Sequence, residues 1–150
     1  MISGVSMLAG HLALIAASVF TGAAFYVNYA EQPARLGLDD GSLLAEWKPA
    51  YKRGYIMQAS LAVVGFLLGL LAWWTTGKMA FAIGALLIIA NWPWTLLGIL
   101  PTNKTLMATD ASEAGADTRA LLMKWNRLHA VRTVLGGLAV AAFLVGLNAR

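Results

Sequence analysis

The sequence contains no cysteine. Disulfides, thiolate nucleophiles and cysteine-ligated metals are therefore excluded. Charge is also scarce: Asp, Glu, Lys and Arg make up 12% of the 150 residues, while 59% are hydrophobic. The helices of a soluble bundle need polar outer faces, and this composition cannot supply them. There are two histidines, His11 and His129. The net charge of +4 is small and sits beside apolar runs. It reads as membrane topology and anionic headgroups, and no nucleic-acid partner is expected.

What is present is a set of four nearly charge-free runs: Val5–Val27, Tyr55–Trp74, Met79–Leu100 and Leu128–Leu147. Each is long enough to cross about 30 Å of hydrocarbon as a helix. The first lacks a basic leader and outruns the apolar region of a signal peptide, so it is read as a span. The expectation is an all-α integral membrane protein: a four-helix bundle with two long loops on one side, forming one transmembrane domain over residues 1–150. The loops are residues 28–54 and 101–127. Thr75-Thr76-Gly77-Lys78 is a tight turn, so the second and third spans are antiparallel neighbours. Eight of the Lys and Arg residues lie in the two long loops. The positive-inside rule then places those loops in the cytoplasm, and a bacterial inner membrane is the expected setting.

Local signals divide the chain further. Pro33 is expected to stop the first helix near Glu31, and Pro101 to stop the third. Pro93 should kink the third span, because it has no N–H for the carbonyl of Ile89. Asp39-Asp40-Gly41-Ser42 signals a turn and a helix start. Asp117 is an expected N-cap, with the fourth helix running from about Thr118. Gly65 and Gly69 form a G-x-x-x-G pattern on the same face as Gln58 and Ala62, where another helix can approach closely.

The chemistry-bearing stretch is Trp125-Asn126-Arg127-Leu128-His129-Ala130-Val131-Arg132. With His129 at zero on a helical wheel, Trp125 falls at about −40°, Asn126 at +60° and Arg132 at −60°. These polar groups share one face, while Leu128, Val131, Val134 and Leu138 take the sides and back. Ionisable residues inside a span mark functional sites by default. At 1.5 Å per residue, Glu31, Gln58, Asn91 and Trp94 lie at the same depth, in the half facing the long loops. His11 lies toward the opposite face, about 15 Å or more from His129. With no H-x-x-x-H or E-x-x-H spacing either, no metal site is expected. Two readings of the polar set stay open. It is a one-sided pocket with aromatic walls from Trp92, Trp94 and Trp125, or it is a seam of mutually neutralised groups holding four helices together. Glu31 likewise is either a carboxylate paired with Arg35 or an acid, base or counter-ion aimed into the bundle.

Several ordered blocks carry a family resemblance. They are Tyr26-Val27-Asn28 leading to Glu31-Gln32-Pro33-Ala34-Arg35, Trp47-Lys48-Pro49 with Tyr51, Asn91-Trp92-Pro93-Trp94-Thr95, Pro101-Thr102-Asn103, and Trp125 with Leu128-His129-Ala130-Val131-Arg132. Over most of its length the chain resembles the anthrone-oxygenase-like family of small four-span membrane proteins. That resemblance implies oxidation of an anthrone to a quinone by O₂ without a dissociable cofactor, so no cofactor is expected. It also implies His129 as the base, with Asn91, Trp92, Asn126 and Arg132 as site residues.

The resulting expectation is a membrane oxidoreductase acting on a planar lipophilic phenol or anthrone. Its catalytic set is His129, Arg132 and Glu31. Its substrate-binding set is Asn91, Trp92, Trp94, Asn126, Trp125 and Gln58. The alternative is a non-catalytic membrane protein that binds a lipophilic ligand, such as a quinone or haem-like molecule, or that serves as a structural subunit. The expected partners are the bilayer and a small lipophilic ligand. With no inverted repeat, a channel would require a homo-oligomer.

Overall fold

The computed structural model describes the backbone of residues 2–149 and the side chains of residues 7–149. Arg150 lies outside the described residues. Four long helices form the molecule. Helix α1 runs over Ile2–Tyr26, passes through a π-turn at Val27–Glu31 and continues as Gln32–Arg35. Helix α2 is Asp40–Thr76. Helix α3 comprises Met79–Ile89, Asn91–Trp94, a π-turn at Thr95–Ile99 and Leu100–Ala108. Helix α4 is Ala116–Asn148. They follow one another around a square, each packed on its sequence neighbours, with α4 closing against α1. All four are long and apolar enough to cross a membrane, and large apolar side chains such as Leu12, Ile15, Leu67, Leu86, Leu97 and Val134 are exposed on the outside. The chain is an integral membrane protein.

The two stretches expected as long loops are largely helical. Only residues 36–39 and 109–115 connect the helices at that end, and the second of these includes a short turn at Ala111–Glu113. The reason lies in the prolines. Pro33 and Pro101 look like stops in the sequence, yet each follows a π-turn and sits at the first or second position of the next helical segment. A wide turn takes up the carbonyl that proline cannot satisfy, and proline's fixed φ suits a first turn. Pro93 does break α3 as expected: the helix lapses at Ala90 and resumes at Asn91. Asp39 caps α2 by accepting from the Ser42 N–H at 3.0 Å. Helix α4 begins at Ala116, with Gly115 rather than Asp117 at its N-cap.

The bundle has two unlike ends. At the end with the Gly77 turn, α1–α4 pack on small residues. Phe143 of α4 fills a hole beside Gly69 and Gly84: a methyl on Gly84 would meet its ring at 2.5 Å and one on Gly69 at 2.8 Å. Lipid is as apolar as leucine, so close van der Waals fit of this kind holds membrane helices together. Gly77 itself adopts φ +71, and its N–H closes α2 on the Trp73 carbonyl. At the other end the filling is large and aromatic, with Trp47, Trp125, Leu43, Leu44, Ile99, Leu106 and Leu122 in a second core. Polar staples tie this end. Arg119 pairs with Asp40 at 2.5 Å and donates to the carbonyls of Leu36 and Leu38. The Lys48 ammonium donates to the Thr109 carbonyl.

Candidate functional site

Between the small-residue core and the aromatic end lies a cavity of about 160 Å³. Its walls come from Ala23, Tyr26, Val27, Glu31 and Arg35 of α1, Tyr51, Tyr55 and Gln58 of α2, Asn103 of α3, and Trp125, His129 and Arg132 of α4. It opens between α1 and α2, where Tyr26, Tyr55 and Met57 are exposed at its rim.

His129 is 3% exposed and its ring lies 4.9 Å from that of Trp125. Its Nδ1 meets Asn28 Oδ1 at 3.1 Å. The geometry settles which atom carries the proton. Asn28 Nδ2 donates to the Asn126 backbone carbonyl at 2.9 Å and to Asn126 Oδ1 at 2.6 Å. Turning the Asn28 amide over would set its oxygen against that carbonyl, two acceptors face to face. The oxygen therefore faces His129 and Thr133, whose hydroxyl donates to it at 2.9 Å. An amide oxygen only accepts, so His129 Nδ1 carries the hydrogen and, in the neutral imidazole, Nε2 keeps the lone pair. Asn28 reaches α4 from the π-turn of α1, a wider turn of the kind often found at functional sites.

Arg132 lies one turn further along α4. It is 7% exposed, and among the described residues it makes neither an ion pair nor a hydrogen bond. Its guanidinium lies over the face of Phe20, 5.4 Å from the guanidinium carbon to the ring centre. Burying a guanidinium without an acceptor is costly, and an anion or oxygen acceptor at this position would offset that cost.

The other predicted site residues divide by location. Trp125 and Gln58 line the cavity with His129 and Arg132. Gln58 is buried and makes no side-chain hydrogen bond among the described residues. Glu31 lines the same cavity but is held in an ion pair with Arg35, which also binds Glu46 and Gln32. Asn91 and Trp92 line a second, smaller cavity between α2 and α3, reached on its other side by Arg132, Gln58 and Tyr55. Asn126 supports Asn28 and is absent from both linings. Trp94 is half-buried against the aromatic core at the edge of a groove at Pro93, and it donates to the Leu128 carbonyl at 2.9 Å. His11 is exposed and bonded to the Met7 carbonyl. No three His, Asp or Glu side chains cluster as metal ligands among the described residues.

The sequence reading missed Asn28, Tyr51, Tyr55 and Asn103 as site residues. Tyr51 stacks on Trp47 at 4.9 Å, and its hydroxyl accepts from Asn103 Nδ2 at 3.1 Å. The available signal was spacing: Tyr51, Tyr55 and Gln58 fall on one face of α2 at intervals of four and three.

Comparison with known proteins agrees with this architecture. The sequence matches the anthrone oxygenase family over residues 47–143. It is 31% identical over 151 aligned positions to an anthrone oxygenase of Claviceps purpurea, covering 90% of this chain and 86% of that protein. It is 33% identical over 132 positions to the anthrone oxygenase tpcL of Aspergillus fumigatus, covering 81% and 82%. Both relatives are fungal. No solved structure matches the chain. Two relatives aligned over most of their length, and a family match taking in most of α2, all of α3 and most of α4, identify the chain as a member of the anthrone oxygenase family.

Proposed function

We propose that the chain is a membrane oxygenase that converts a planar anthrone-type phenol into the corresponding quinone, with His129 as base and Arg132 as anion holder. The observation that carries this reading is the buried, unpaired Arg132 one turn from a histidine whose Nε2 lone pair is left free, both on one cavity wall. The names of the relatives supply the substrate class.

The chemistry follows from those two groups. His129 Nε2 removes a proton from the methylene carbon between the aromatic rings. The carbanion delocalises onto the ring oxygen, where Arg132, with Gln58 and the tyrosine hydroxyls at hand, stabilises the charge. The electron-rich anion gives an electron to O₂, and the two fragments join as a carbon–oxygen bond. Imidazolium returns the proton, giving a hydroperoxide. Loss of the second carbon-bound hydrogen with cleavage of the O–O bond yields the carbonyl and water. In sum, CH₂ and O₂ become C=O and H₂O.

An apolar cavity of about 150 Å³ takes one benzene ring. A cavity of about 160 Å³ thus encloses one outer ring as far as the reacting carbon, while the rest of a fused-ring substrate projects through the gap between α1 and α2 toward lipid. Trp125, beside His129, offers a flat wall for stacking. In the proposed orientation the end bearing Lys48, Lys52, Lys104 and Lys124 faces the cytoplasm.

Oxygen uptake by the purified protein in lipid nanodiscs, with an anthrone as substrate, tests the reading. One O₂ consumed per quinone formed is expected, at a rate well above the protein-free reaction. Equal rates for wild type, His129→Ala and the protein-free control would falsify the assignment. Quinone binding without oxygen uptake would make the protein a ligand carrier instead.

A further inference from the structure

The smaller cavity between α2 and α3 has a volume of about 20 Å³. Its lining includes Ala59, Ala62, Asn91, Thr95, Gln58 and Arg132. Two polar atoms among these residues are buried with no partner: Arg132 Nε, a donor, and Asn91 Oδ1, an acceptor. Asn91 spends its Nδ2 on the Ile88 carbonyl, next to the break in α3. Gln58 and Thr95, both buried, also make no side-chain hydrogen bond among the described residues. One water molecule needs roughly 10–15 Å³ of such space and two to four polar partners. A hydrocarbon fragment would leave the orphaned donor and acceptor unpaired, at a cost of about 1–3 kcal/mol each.

We propose that this cavity is a water site, in which one oxygen accepts from Arg132 and donates to Asn91. The water completes the guanidinium without neutralising it, as a carboxylate would, and so leaves Arg132 charged toward the larger cavity. A second step rests on the oxygenase reading. Arg132, Gln58 and Tyr55 line both cavities, so the small one adjoins the reacting centre. When the hydroperoxide O–O bond breaks, the outer oxygen leaves as hydroxide. It takes up the proton released from carbon and becomes water, and the small cavity is the polar space that receives it as the water already there moves out. Trp92 covers this cavity from α3, its indole N–H donating to the Ala59 carbonyl at 3.4 Å.

A density map of the full chain at a resolution that shows buried waters tests the site. A single peak within hydrogen-bond distance of Arg132 and Asn91 is expected. An empty cavity, in a map that shows buried waters elsewhere, overturns the proposal. Ala59 lines only the small cavity, so Ala59→Val fills it without touching the larger one. The peak should vanish in that variant, and one that persists in place counts against this site. Turnover tests the second step. Ala59→Val should consume substrate at an undiminished initial rate but release less quinone per O₂, with hydroperoxide making up the balance. An unchanged quinone-to-O₂ ratio overturns the role in hydroxide departure. If wild type consumes no oxygen, the oxygenase reading and that role fall together, and the map alone decides the water site.

Discussion

The two ends of this bundle are built from the same four helices and obey opposite rules. Toward the Gly77 turn, Ala9, Ala13, Ala17, Ala72 and Ala139 bring the backbones together around Phe81 and Phe143. Toward the other end, Trp47, Trp125, Tyr51 and their neighbours hold the backbones apart. Every buried side-chain polar atom without a partner among the described residues lies in this second half or at its border: Trp47 Nε1, Trp125 Nε1, Asn91 Oδ1, Asn103 Oδ1 and Arg132 Nε. Native structures leave few such atoms. Their concentration beside a cavity, against their absence from the small-residue core, separates a region built for packing from one with polar groups left to offer.

The largest test of that contrast compares the two histidines. His129→Ala removes the free Nε2, and a loss of about 10²–10⁴-fold in kcat/KM is expected for the oxygen-uptake reaction. Arg132→Gln removes the anion holder and should cost a similar factor. His11→Ala, at the packing end and exposed, should leave the rate unchanged. A loss on changing His11 as deep as that on changing His129 would dissolve the distinction between the ends.

Next in size is Asn28. Asn28→Leu removes the acceptor that fixes the hydrogen on His129 Nδ1, so the free lone pair is no longer directed to Nε2. A fall in kcat of about tenfold or more is expected with KM little changed. Asn28→Asp keeps an acceptor at the same place and should recover part of the rate. If both variants lose activity equally, Asn28 is only a helix tie. This residue also marks where sequence reading ends. The spans, the Gln58–Gly65–Gly69 face and the polar stripe through His129 and Arg132 were legible, because each depends on periodicity within one helix. The Asn28 contact depends on the π-turn that shifts α1 by a fraction of a turn, and on its register against α4. The same limit hid the helical ends: Pro33 and Pro101 look like stops until the wide turns before them are seen. It also hid that Trp94 ties α3 to the Leu128 carbonyl of α4, because that contact depends on the register of two helices.

The packing end has its own test. Gly84→Ala places a methyl 2.5 Å from the Phe143 ring, so the ring or the backbone must give. Overpacking of this kind costs about 1–3 kcal/mol. A lower thermal midpoint is expected, with turnover per folded molecule unchanged. Gly84→Ala combined with Phe143→Leu should restore much of the loss, because the shorter side chain vacates the clash. If Gly84→Ala lowers turnover while leaving stability intact, the two ends are coupled more tightly than their chemistry implies.

The smallest expected effect concerns the cap of α2 at the polar end. The Ser42 hydrogen bonds hold the exposed Asp39 carboxyl below its ordinary value of 3.8. A carboxyl lowered on folding stabilises the fold in its charged form. That contribution is complete above the unfolded value and fades as pH falls through the folded one. Asp39→Ala should therefore lower the thermal midpoint by about 2–4 °C at pH 7. The gap from wild type should shrink as pH falls below 3.8 and through the lowered native value. Oxygen uptake at pH 7 should not change, because Asp39 lines neither cavity. A gap that stays constant with pH would mean that the cap acts through the shape of the 36–39 turn rather than through its charge. The polar end would then owe its geometry to the Arg119 and Lys48 staples alone.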